Sequence, residues 1–169
     1  MKKISLLIIA FMLIGTYFAN SQTFNKGTTT GNICIGIGTP YDGGGLPFSA
    51  SFEIGVADHI IDKGSIGIGG TIGYSSASYR SYTYTNFLIG PRGAFHYAFV
   101  DKLDTYAGIT IAYHTESTNI DIPYYSYNNG ITSYLFAGAR YYFSEKFAVV
   151  GELGSSFAYL NIGILYKFK

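Results

Sequence analysis

His96, and His114 with Glu116 two residues beyond it, are the side chains with which this 169-residue chain could move a proton or activate a nucleophile. A lipid hydrolase or acyltransferase needs a serine hydroxyl activated by a histidine, with an acid to orient the imidazole. Spacing sets no serine beside either histidine, and the third, His59, falls in a turn. The same scatter offers no metal-ligand pattern, and no glycine-rich loop leads into a helix to cradle a phosphate. The spacing therefore predicts no catalytic residue, no metal and no cofactor. Four charges stand out instead: Glu53, Arg92, Arg140 and Glu152, each set among small and apolar residues. Buried charges need partners, so these four predict either a salt-bridged plug or the lining of a polar passage.

The elements that must position them are strands. Period-two alternation marks eight, at about 31–39, 48–58, 64–75, 84–98, 105–115, 131–143, 147–155 and 159–168, and no helical period competes with them. In the second, Phe48, Ala50, Phe52, Ile54 and Val56 alternate with Ser49, Ser51, Glu53 and Gly55; in the fifth, Ala107, Ile109, Ile111 and Tyr113 alternate with Tyr106, Gly108, Thr110 and His114. One face is apolar throughout, and the other is small or polar. Cys34, the single cysteine, reads as a small inward-facing side chain without a disulfide partner. Pro91 falls mid-strand, where it removes a ladder bond, and predicts a bulge or a break in register.

A soluble sandwich would carry many Lys and Glu on its polar faces, whereas the chain is only 12% charged and 18% aromatic. Its charges collect in short connections, "DHIIDKG" (58–64), "VDKLD" (100–104) and "SEK" (144–146). These alternate with longer connections rich in Tyr, Ser and Gly: "PYDGGGLP" (40–47), "SASYRSYTYT" (76–85) and "TESTNIDIPYYSYNNG" (115–130). Short turns on one rim, long loops on the other and an even strand count are the plan of a transmembrane β-barrel. Residues 1–21 predict a cleaved signal peptide, with Lys2 and Lys3 before an apolar run and Ala19-Asn20-Ser21 after it, leaving 22–169 as one barrel domain. A net charge of +1 leaves no nucleic-acid footprint.

The chain closes on "YLNIGILYKFK" (159–169), its most regular strand, which would pair with the first to remove both edges. Asn161, Gly163, Tyr166 and Phe168 match the polar–x–Gly–x–x–aromatic–x–aromatic pattern that outer-membrane barrels carry as an assembly signal. The mature chain as a whole resembles the small OmpX-like and OmpA-like barrel families of Gram-negative bacteria. That resemblance implies an all-β, eight-stranded, antiparallel up-and-down barrel in the outer membrane, exported through a cleaved signal and inserted by the barrel assembly machinery.

Strand parity then turns Glu53, Arg92, Arg140 and Glu152 into the lumen. Hairpin registers set Glu152 opposite Gly138 and Asn161 and diagonal to Arg140, with Glu53 opposite Gly69 and glycine making room for an arginine. The segments "LIGPRGAF" (88–95) and "LFAGARYYF" (135–143) share Gly-x-Arg. Tyr79, Tyr82 and Tyr84 in one loop and Tyr124, Tyr125 and Tyr127 in another are interleaved with Ser, Thr and Asn, a mixture suited to an adaptable binding surface or to a membrane-interface girdle. The expected function is a monomeric outer-membrane barrel with a side-chain-filled lumen, serving envelope structure or presenting loops. The alternative is a narrow pore or small-ligand barrel, and a lipid-modifying enzyme ranks last.

Overall fold

The computed structural model describes residues 24–39, 45–61, 63–79, 81–119, 129–154 and 157–169. Eight antiparallel strands follow one another around a closed barrel: β1 (Thr29–Ile37), β2 (Phe48–Ile60), β3 (Gly64–Tyr79), β4 (Tyr82–Val100), β5 (Leu103–Thr118), β6 (Gly130–Tyr142), β7 (Phe147–Gly154) and β8 (Leu160–Lys167). Closure is made by β1 against β8, running from Thr30 opposite Lys167 to Ile37 opposite Leu160. The final strand thus seals the edge that the first would otherwise expose.

The alternation sorts the wall as its period demands. Ile33, Ile131 and Leu135 face outward at 70%, 80% and 70% exposure, while Leu165, Val150 and Ala148 face inward and are buried. On β2 the outward apolar run from Phe48 to Val56 extends about 27 Å at roughly 3.3 Å per residue. At a strand tilt of about 40° this spans about 20 Å along the barrel axis.

Four strands, β2, β3, β4 and β5, are longer than the alternation predicts. β3 and β4 continue through most of "SASYRSYTYT" and pair to Tyr79 opposite Tyr82, so only residues 80 and 81 separate the two strands where a long connection at 76–85 is expected. Tyr84 is therefore a half-buried strand residue opposite Ala77 and Thr118. Ser76 with Thr85 and Ser78 with Thr83 are joined by hydroxyl bonds of 3.4 and 3.0 Å across this ribbon, a cross-strand ladder of small polar groups that extends the sheet. At the opposite rim β5 begins at Leu103, which draws Asp104 out of the expected turn and into the wall.

Pro91 causes neither a bulge nor a change of register. Ile89 pairs Tyr113 and Arg92 pairs Thr110 in one register, and only the two rungs between them lapse. The ring lies on the outer face, with Gly70 as its neighbour on β3. Residues 1–23, including the expected signal peptide, and Tyr124, Tyr125 and Tyr127 lie outside the described residues, as do the side chains of Tyr79 and Tyr82.

Candidate functional site in the barrel lumen

Glu53, Arg92, Arg140 and Glu152 all face the lumen, at 1%, 6%, 0% and 8% exposure. They meet across the barrel, because the lumen of eight strands is narrow enough for side chains from opposite walls to touch. Arg140 on β6 reaches Glu53 on β2 with one terminal nitrogen. Its other terminal nitrogen stands 3.5 Å from Asp104 on the adjacent strand. Arg92 on β4 reaches Glu152 on β7 at 2.7 Å. The expected diagonal pair of Arg140 with Glu152 is therefore not made, although the register that suggested it is present, with Glu152 opposite Gly138 and Asn161.

Two further members complete the cluster. His96 is fully buried, its Nε2 2.7 Å from Glu53 and its Nδ1 3.0 Å from Asp104. With Glu53 and Asp104 ionised, each can only accept, so both ring nitrogens donate and the ring carries a positive charge. Three carboxylates, Glu53, Asp104 and Glu152, face three cations, Arg92, Arg140 and His96, and their charges cancel. Buried ions persist on these terms: each is paired and hydrogen-bonded, and a missing partner leaves an uncompensated charge. His96 shares the inward face of β4 with Arg92, and its spacing in the sequence names no partner for it. Asp104 was missed because an acid beside a turn reads as part of the turn.

Aromatic rings fill the space around the ions. The Arg92 guanidinium lies 4.0 Å from the centre of the Phe136 ring and that of Arg140 4.4 Å from Tyr106, contacts that favour a cation over a π face. The Tyr106 hydroxyl donates to Glu152 at 3.0 Å. The glycines of the wall make room, though not for arginine. A Cβ on Gly67 would stand 2.3 Å from the Glu53 carboxylate, and one on Gly138 would stand 2.6 Å from the Tyr106 ring. Gly69, opposite Glu53, lies too close to the Phe52 carbonyl for any side chain.

Toward the long-loop rim, Leu88, Ala112, Tyr134 and Phe157 form an apolar layer, and beyond it His114 Nε2 is 3.0 Å from Asn86 Oδ1. Among the described residues both ring nitrogens of His96 are taken by carboxylates rather than by a serine hydroxyl, and no group of His, Cys, Asp or Glu is arranged to hold a metal ion. Arg140 takes the place between Glu53 and Asp104 that a cation would need.

On β8, Asn161 is buried opposite Glu152, and Gly163 lies so close to β1 that a Cβ would meet the Ile33 carbonyl and Cys34 Sγ. Tyr166 packs edge-on against Phe147 and Phe168, with centroids 5.1 and 5.0 Å away, and Phe168 lies 6.3 Å from Phe52. The four positions of the terminal pattern thus divide between the lumen side and an aromatic row on the outer face near the C-terminus.

No protein-family model and no curated protein sequence matches the chain. Solved structures do. A de novo designed transmembrane β-barrel is 20% identical with a TM-score of 0.57, the match covering 85% of this chain and 97% of that one. A second designed barrel, TMB2.3, is 20% identical with a TM-score of 0.53, over 86% and 97% of the two chains. Ail, the attachment invasion locus protein of Yersinia pestis, solved in complex with the heparin analogue sucrose octasulfate, is 9% identical with a TM-score of 0.53, over 85% and 99%. At these identities the likeness is one of fold, and the fold is that of the closed eight-stranded transmembrane β-barrel.

Proposed function

We propose that this chain is an integral outer-membrane protein without enzymatic activity, a monomeric barrel whose lumen is occluded by its own side chains. It serves as a structural element of the envelope and carries loops on its outer rim. The observation that carries this reading is the charge-balanced cluster of Glu53, Asp104, Glu152, Arg92, Arg140 and His96, buried across the lumen beneath a layer of apolar side chains. A passage for ions would keep such groups hydrated rather than paired and covered by rings.

Support for the bilayer comes from the outer face. Ile33, Ile131 and Leu135 belong to a continuous band of exposed isoleucine, leucine, valine and phenylalanine that water would not tolerate on a soluble monomer, whereas lipid would. The terminal row of Tyr166 and Phe168 supports recognition by the barrel assembly machinery during insertion. Tyr79, Tyr82, Tyr84, Tyr124, Tyr125 and Tyr127 are the residues we assign to the loop-side surface, as interface girdle or as contacts for an extracellular ligand.

The test is planar-bilayer recording of the purified, refolded protein. The expected result is no steady conductance; a stable, ion-selective conductance would refute the occluded lumen and favour a narrow passage lined by the same charges.

A further inference from the structure

We propose that residues 24–28 form a stopper for the short-turn mouth of the barrel, a detachable strap that keeps water from the charge cluster. Just before β1 the chain is closed into a turn: the Thr28 amide donates to the Asn25 carbonyl at 2.9 Å, and the Asn25 amide donates to the Thr28 hydroxyl at 3.1 Å. Gly27 supplies the left-handed residue of that turn, at φ 86°. The turn is tied to β2 by two bonds of 2.8 Å, from the Gly27 amide to the Gly55 carbonyl and from the Gly55 amide to the Thr28 carbonyl.

This reversal delivers Phe24 into the lumen, where it is 2% exposed. Its carbonyl accepts from the Ser65 hydroxyl at 2.8 Å. Its ring lies nearly parallel to the His96 imidazole, 3.9 Å between centroids and 16° between planes. The Arg140 guanidinium is 5.6 Å from the same ring. Phe24 thus covers the two cations that hold Glu53 and Asp104, and it does so from the rim at which β4 ends and β5 begins.

Two features make the strap separable from the wall. It is held by a few bonds to Gly55 and Ser65, whereas each wall strand is paired with a neighbour on both sides, and segments with few anchoring bonds open first. It also depends on one wall glycine. A Cβ on Gly55 would stand 2.0 Å from the Asn25 carbonyl oxygen and 2.8 Å from its carbon, so any side chain there displaces the strap without removing Phe24.

The stopper extends the occluded-lumen reading and rests on it, but its experiment reads something else. In nanodiscs, the ring N–H protons of His96 are followed by ¹⁵N-histidine NMR, assigned against a His96→Gln variant, and their exchange with water is measured. In the wild-type chain the signals should persist. In Phe24→Ala and in Gly55→Ala, exchange should accelerate by about tenfold or more, while Phe24→Leu, which retains apolar bulk, should stay near wild type. Unchanged exchange in both Phe24→Ala and Gly55→Ala would overturn the stopper. So would failure of both variants to form a barrel, because a detachable strap cannot be a requirement of the wall. Conductance in the wild type would count against the occluded lumen alone, leaving His96 exchange to decide the strap.

Discussion

Replacing Arg140 by Met should be the most damaging single change in the lumen. Arg140 is fully buried between Glu53 and Asp104, and its loss leaves two carboxylates facing one imidazolium, a net negative charge in a region that water does not reach. Each ion pair at about 4 Å is worth about 4 kcal/mol at an effective dielectric near 20. Part of this offsets the cost of desolvating the guanidinium, so removal of one partner should cost about 3–5 kcal/mol. Adding Glu53→Gln restores balance, because Asp104 and His96 remain as a neutral pair. The double variant Arg140→Met with Glu53→Gln should therefore be more stable than the sum of its singles by about 2–3 kcal/mol. Arg140→Met with Glu152→Gln should behave differently. Glu152 pairs with Arg92 instead, so the second change strands another charge and the losses should add to within about 1 kcal/mol. Urea unfolding from detergent or lipid, carried out on both cycles, measures the two couplings. Equal couplings in the two cycles, or a larger one for Arg140 with Glu152, would refute the pairing.

Gly67→Ala should cost about 1–3 kcal/mol in the same assay, because its Cβ would fall 2.3 Å from the Glu53 carboxylate, whereas Gly151→Ala, which meets nothing within 4 Å, should be neutral. Phe168→Ala should reduce the amount of assembled barrel in cells, scored as the fraction migrating fast on unheated gels, far more than Ile61→Ala in an exposed turn; equal amounts would make the terminal aromatic pattern incidental. Phe24, which precedes the first strand, is no neutral control for that comparison, since its ring is buried against His96. The mature protein should fractionate with outer membranes, and its recovery in the soluble periplasmic fraction would sink the membrane reading.

Strand identity, strand order and the direction of nearly every wall side chain are legible in the sequence, because alternation with a period of two is a local property and one face of each strand must be apolar. The hairpin registers of Glu152 follow for the same reason, since a short turn sets which residues of two successive strands lie opposite each other. Local pattern does not reach across the lumen. Glu53 and Arg140 are 87 residues apart, Arg92 and Glu152 are 60 apart, and their meeting depends on how the closed sheet brings opposite walls together. Parity could turn Arg140 inward; it could not choose among Glu53, Asp104 and Glu152. Asp104 was hidden by its place beside a turn, where two more strand residues convert an apparently solvated acid into a buried one. Phe24 was hidden more completely, because it precedes the first alternating residue in a stretch with no period at all. Its burial is decided by Gly55, a residue of another strand whose missing side chain lets the strap lie against the wall. The sequence by itself determined a barrel with charges inside it; the closure of the sheet decided which charges neutralise one another and what covers them.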